Sequence, residues 1–162
     1  MNEKQEAKTP IDDENSDVLQ WVTFKLADEI YGVNVMQVQE VLRLSEIAPV
    51  PGAPKEVMGI INLRGNVVTV IDTRVKMGLE TSPADDHSRI VIIESSNKTF
   101  GLFVDNVTEV VYLAKSEMEA APPVGDKDAE QYISGVSNKT GNLIIFLDIE
   151  AIFESSKAQA SE

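Results

Sequence analysis

Cysteine is absent from the 162 residues, which excludes disulfides, thiolate nucleophiles and cysteine-ligated metals. Positive charge is scarce: 14 Lys and Arg against 27 Asp and Glu leave a formal charge of −13 and a pI near 4.4. Duplex affinity rests on cations that neutralise phosphates, so no nucleic-acid partner is expected, and an anionic membrane surface is disfavoured for the same reason. No apolar run approaches the length that spans a bilayer, and Met1–Asp17 lacks the apolar centre of a secretion signal. The single histidine, His87, lies in the polar stretch Glu80–Ser88 with no nucleophile signature beside it. It reads as a solvated loop residue rather than a general base. Gly-x-Ser-x-Gly, His-Glu-x-x-His, Walker and dinucleotide-binding patterns are all missing. Asp85-Asp86 and Asp126/Asp128 have no calcium loop around them. The expectation is a soluble, cytoplasmic chain with no catalytic residues, no cofactor and no metal.

What is present is a duplicated hairpin. Gly59 to Asp72 reads Gly-Ile-Ile-Asn-Leu-Arg-Gly-Asn-Val-Val-Thr-Val-Ile-Asp, and 76 residues later Gly135 to Asp148 reads Gly-Val-Ser-Asn-Lys-Thr-Gly-Asn-Leu-Ile-Ile-Phe-Leu-Asp. Asn62/Asn138, Gly65/Gly141, Asn66/Asn142 and Asp72/Asp148 are identical pairs. Asn and Gly at these positions supply the backbone freedom and local hydrogen bonds of a tight turn between β-branched runs. Asp72 and Asp148 stand where an N-cap would, each before a short helix, and this is a better reading than a pair of catalytic carboxylates. An echo precedes each copy: Tyr31-Gly32-Val33, then Val38, Glu40, Val41 and Leu44, matches Phe100-Gly101-Leu102, then Val107, Glu109, Val110 and Leu113. Residues common to both copies read as structural. Those that differ are better functional candidates, and Thr140 stands in the place of Arg64.

Along the chain, Met1–Asp17 is acidic and poor in large apolar residues, which predicts a disordered tail. Val22, Phe24 and Leu26 alternate with Trp21, Thr23 and Lys25 as in a half-buried strand. Ile30–Val35, Arg89–Glu94, Thr99–Val104, Val107–Leu113, Tyr132–Val136 and Leu143–Leu147 read as further strands. Met36–Leu44 is open between helix and strand. Ser45–Pro54 carries three prolines and reads as an extended loop, with a helical turn at Pro54–Met58. Short helices are expected at Thr73–Met77, Ser116–Ala120 and Ile149–Phe153, and residues 155–162 as a flexible tail. Nine or ten short strands with frequent turn signals predict an all-β protein with a few short helices. The duplication implies two small barrels, with repeats near 28–79 and 97–154 inside a domain of residues 18–154. Strand 18–26 could belong to either barrel.

Two residues resist a purely structural account. Glu40 stands amid Val38, Val41 and Leu42, and Arg64 is a cation carried on the first hairpin. With Val35, Val38 and Val107 they suggest an apolar groove whose rim charges set partner choice and register.

At these residues the chain resembles a known family. Tyr31-Gly32-Val33, Val38-Gln39-Glu40-Val41, Gly59-Ile60-Ile61-Asn62-Leu63-Arg64-Gly65 and Asp72-x-Arg74 are similar to the CheW family of bacterial chemotaxis coupling proteins, over about Trp21 to Phe153. The resemblance implies two intertwined five-stranded SH3-like barrels and a function without catalysis. It implies a protein that bridges the cytoplasmic tips of methyl-accepting chemotaxis receptors to the regulatory domain of the histidine kinase CheA, recruited to chemoreceptor arrays without inserting in the membrane. Carried over by position, Val38, Glu40, Gly59, Arg64 and Val107 are implied in receptor or kinase coupling, with Val35 and Ile90 as weaker groove candidates. Leu42, Leu44 and Ile47 are the kinase-side candidates. The expectation is the stand-alone coupling module, without the receiver domain of the CheV type or the kinase domains of CheA. An adaptor in a non-flagellar chemosensory array, or an enzyme or small-molecule sensor using the groove, are the competing readings.

Overall fold

The computed structural model describes residues 18–121 and 127–160. The acidic stretch Met1–Asp17, read above as disordered, lies outside them.

The described chain runs through ten strands: β1 (Val18–Leu26), β2 (Glu29–Asn34), β3 (Val38–Arg43), β4 (Val57–Leu63), β5 (Asn66–Asp72), β6 (Arg89–Ser95), β7 (Lys98–Val104), β8 (Asn106–Ala114), β9 (Ile133–Ser137) and β10 (Ile144–Leu147). Helices are short: α1 (Thr73–Lys76) after β5, α2 (Lys127–Glu130) before β9, and α3 (Ile149–Ala160) after β10. The stretch left open between helix and strand resolves as both. Asn34 accepts a hydrogen bond from Met36 N–H and starts a 3-10 turn, Val35–Gln37, after which β3 begins. At Pro54–Met58 there is a turn, closed by Val57 N–H to Pro54 O (2.9 Å), and β4 starts at once. The second short helix expected at Ser116–Ala120 is instead a 3-10 turn at Lys115–Glu117. α3 continues past Phe153 to Ala160, because Glu-Ser-Ser-Lys-Ala-Gln-Ala contains good helix formers and no glycine or proline to stop it.

The strands form two five-stranded sheets, ordered β8-β1-β2-β10-β9 and β3-β6-β7-β5-β4. Replacing each strand of the first order by its counterpart in the sequence repeat (β1 by β6, β2 by β7, β8 by β3, β9 by β4, β10 by β5) yields the second. Each sheet therefore takes three strands from one repeat and two from the other, which is the intertwining that the duplication left unresolved. The repeats meet at four pairings, the antiparallel β1/β8 and β3/β6 and the parallel β2/β10 and β5/β7; every pairing within a repeat is antiparallel. The ends of each sheet are also tied in equivalent ways. Ala48 and Ile60 exchange backbone hydrogen bonds of 2.9 and 2.8 Å, linking the chain after β3 to β4. Glu119 and Val136 exchange two of 2.8 Å, linking the chain after β8 to β9.

Three apolar cores follow from this arrangement. One lies within the first sheet (Trp21, Val111, Leu113, Ile144, Phe146) and one within the second (Ile61, Val68, Val70, Ile90, Ile92, Phe103). The largest joins them, with Phe24, Leu26 and Val33 from one sheet meeting Val91, Ile93, Phe100 and Leu102 from the other, closed by Ile149 and Ile152 of α3. β1 is thus covered on both faces rather than half-buried: Trp21 and Thr23, expected toward solvent, are 6% and 1% exposed. Each such buried large side chain contributes about 1.5–3 kcal/mol. The inner cores can form because glycine stands where the central strand passes. A Cβ on Gly101 would meet Ile90 Cγ2 at 2.7 Å, and one on its counterpart Gly32 would meet the Phe146 ring at 3.1 Å.

Candidate functional site

β4 and β5 are joined by a two-residue turn, Arg64-Gly65, with Leu63 opposite Asn66. Both turn residues have positive φ, +51° and +88°, the combination that matches the twist of flanking strands in a tight hairpin. Asn62 Oδ1 accepts from Gly65 N–H at 2.9 Å and braces it. Gly65 takes its conformation freely; Arg64 does not.

The Arg64 guanidinium reaches across to Glu40 and forms a two-pronged ion pair with its carboxylate. Glu40 is available because β3 is bulged. Val38 stands opposite Ile93, yet Glu40 stands opposite Ile92, so the register slips at Gln39. A bulge re-aims the side chains that follow it. Val38 faces the core between the sheets, whereas Glu40 and Leu42 turn to the second sheet's own side, toward the hairpin. Gln39 is held in the bulge by a 2.6 Å hydrogen bond to Glu94 Oε1. The Glu40 side chain is 29% exposed and that of Arg64 68%, and the carboxylate holds the guanidinium pKa above its ordinary value. In the second repeat Glu109 has no such partner among the described residues, Thr140 stands in Arg64's place, and the β9–β10 connection is longer, with Ser137 opposite Ile144. Among the described residues the pair occurs in the first repeat and not in the second.

The remaining sequence candidates fall into three groups. Val35, Val38 and Val107 are half-buried and pack against the core between the sheets, at its margin. Leu42 and Ile47 pack against the second sheet's own core, with Leu44 exposed beside them. Ile47 also lines a groove of about 500 Å³ with Ala48, Pro49, Ile60 and Val67. Ile90 and Gly59 are not surface contacts. Ile90 is fully buried in the second sheet, so as a groove candidate it is corrected to a core residue: it pairs with Leu42 on a face that is covered. Gly59 is buried beneath the chain after β3, where a Cβ would lie 2.2 Å from Ala48 O; it sets how closely Ile47 and Ala48 approach β4.

Asp72 Oδ1 accepts from Val75 N–H (3.4 Å) and its Oδ2 from Thr81 Oγ1 (2.9 Å). Asp148 Oδ1 accepts from Ala151 N–H at 3.1 Å. Gly141, like Gly65, has positive φ, and its N–H donates to Asn138 O. Among the exposed apolar residues that the sequence reading did not nominate, three stand out. Met36 (85% exposed) stands on the turn between Val35 and Val38, Val67 (69%) follows the Arg64 hairpin, and Tyr112 lies on β8. Met36 was hidden because turn exposure has no periodic signal; Val67 could have been found from its place two residues after the turn. No group of three or more potential metal ligands occurs among the described residues, and none of their helices is long and apolar enough to cross a membrane.

The Arg64 hairpin thus carries an ion pair with Glu40 on one face of β3, and Val38, with Val35 and Val107, packs at the margin of the core between the sheets. Residues 20–157 match the model of the CheW-like domain. The chain belongs to the CheW family. It is 28% identical over 149 residues to the chemotaxis protein CheW of Treponema pallidum, covering 90% of this chain and 88% of that protein. With CheW of Bacillus subtilis it shares 29% over 140 residues, covering 86% and 90%. The crystal structure of the scaffolding protein TtCheW from Thermoanaerobacter tengcongensis superposes with a TM-score of 0.76 at 32% identity, over 83% of this chain and 87% of that one. The chain is accordingly a chemotaxis scaffold or coupling protein and not an enzyme.

Proposed function

We propose that this CheW-family chain bridges the cytoplasmic tips of methyl-accepting chemoreceptors to the regulatory domain of a CheA-type histidine kinase, and passes receptor state on to kinase activity. It would act in the cytoplasm, recruited to receptor arrays at the membrane. The observation that carries this reading is the Glu40–Arg64 pair, built into the first repeat and, among the described residues, not into the second; Val35, Val38 and Val107 pack at the margin of the core between the sheets. A receptor tip is a helical hairpin, and a helix laying its apolar stripe on a groove is read through spaced aliphatic anchors and a charged rim. Leu42, Leu44 and Ile47 form a second apolar strip on the other side of β3 and suit the kinase. Coupling requires different affinities for different partner states, since equal affinity shifts nothing.

The test is reconstitution with receptor cytoplasmic fragments and CheA, reading co-sedimentation and autophosphorylation together. Arg64→Ala is expected to leave the fold intact and to lower receptor co-sedimentation or kinase output. If both readouts stay at wild-type level with folded protein, the pair is structural and the reading loses its support.

A further inference from the structure

The chain has four arginines. Two are clamped on carboxylates, Arg64 on Glu40 and Arg74 on Asp105. The other two, Arg43 and Arg89, are direct register partners across β3 and β6. Directly opposed side chains stand about 5 Å apart at Cβ, and like charges so placed repel. Both line one depression of about 240 Å³ at that end of the second sheet, together with Leu44, Asp85, Asp86 and Ser88. Among the described residues, neither guanidinium has a carboxylate within ion-pair distance. Asp85 is directed to its own loop, its Oδ1 accepting from His87 N–H at 2.8 Å and lying 3.8 Å from His87 Nδ1. Arg89 is half-buried and fixed by donating to two backbone carbonyls, Asp86 O (2.9 Å) and Ser88 O (2.7 Å). Arg43 is exposed and makes no side-chain hydrogen bond to the described residues.

We propose that Arg43 and Arg89 form a fork that receives an aspartate or glutamate side chain of the kinase as it docks along Leu42, Leu44 and Ile47. A carboxylate between two guanidiniums accepts from both and removes their mutual repulsion, and arginine is the side chain best shaped for such two-oxygen recognition. The fork is continuous with the proposed kinase strip through Leu44, which lines the same depression and is 40% exposed. The inference therefore rests on the functional reading above.

The test is calorimetric titration of the full chain with the kinase regulatory domain at low and high salt, paired with thermal melts. Arg43→Ala should weaken binding about fivefold and flatten its salt dependence, since a rim charge acts through long-range attraction. Arg43→Glu should weaken binding further while keeping or raising the melting temperature, because the new carboxylate pairs with Arg89; a merely structural role would move both readouts together. Wild-type affinity in Arg43→Ala and Arg43→Glu, with the parent binding kinase normally, would overturn the fork alone. A parent chain that binds no kinase would instead remove the functional reading beneath it. If inorganic phosphate perturbs both arginines while kinase binding ignores the substitutions, the fork is a small-anion site and the proposal fails.

Discussion

Arg64 occupies a left-handed backbone position, φ +51°, that ordinary side chains adopt at a cost of about 1–2 kcal/mol. Asn-Gly is the dipeptide that this two-residue turn prefers, so the turn alone does not account for an arginine there. Arg64→Asn should raise stability by about 0.5–1 kcal/mol, seen as a melting temperature a few degrees higher, while abolishing the pairing with Glu40. A lower melting temperature would mean that the ion pair, exposed as it is, outweighs the backbone strain. The arginine was legible in the sequence as a charge without a structural reason; its strain was not, because Gly65 beside it already offered positive φ. The sequence could not separate Ile90 from the surface candidates either. Both faces of β6 are covered, and an unbroken apolar run, Ile90 to Ile93, does not reveal which neighbours cover which side.

Between elements, the clearest tie is the one from α1 to the start of β8. Arg74 Nε donates to Asp105 Oδ1 at 2.9 Å and Nη2 to Oδ2 at 2.5 Å, and Asp105 Oδ2 also accepts from Ala27 N–H at 2.8 Å. Burial alone would raise the Asp105 pKa, but the hydrogen bonds from Arg74 and Ala27 and the guanidinium charge more than offset it, leaving it below the ordinary 3.8. The folded state therefore holds this proton less tightly than the unfolded chain. The stabilisation is present in full above the unfolded value and is lost as pH falls through the lower folded one. Arg74→Ala should accordingly lower the melting temperature at pH 7, and the gap to wild type should close below about pH 4; a gap that persists in acid would assign the effect to packing. The two caps should also differ. Asp72 is buried and bonded to both Val75 N–H and Thr81 Oγ1, whereas Asp148 is exposed and bonded to Ala151 N–H. In chemical denaturation Asp72→Ala should cost about 1–2 kcal/mol and Asp148→Ala about 0.5–1 kcal/mol. The N-cap residues and hairpin turns were readable from the sequence because they depend on a few consecutive residues. The bulge at Gln39 was not, since it arises from the pairing with β6.

For the molecule as a whole, the exchange of strands between repeats makes Gly32 and Gly101 matched weak points. Each lies under a core that its own sheet encloses, and substituting either should destabilise the entire chain in one cooperative transition. Gly101→Ala is expected to be worse, because a methyl there would lie 2.7 Å from Ile90, a side chain with no exposure, against 3.1 Å from the Phe146 ring for Gly32→Ala. Urea midpoints of the two variants check the order; the reverse order would show that the second sheet relaxes more easily. The duplication, the hairpins and the helix caps follow from residue types and short spacings, which act within a few residues and so can be read along a line. Which strand lies beside which, the parallel seams β2/β10 and β5/β7, the single rim pair Glu40–Arg64 and the facing arginines 43 and 89 depend on contacts between residues far apart in the chain. A linear pattern says that a strand will find partners, but two similarly patterned repeats offer each strand two sets of them. The choice is made when the shared core is buried.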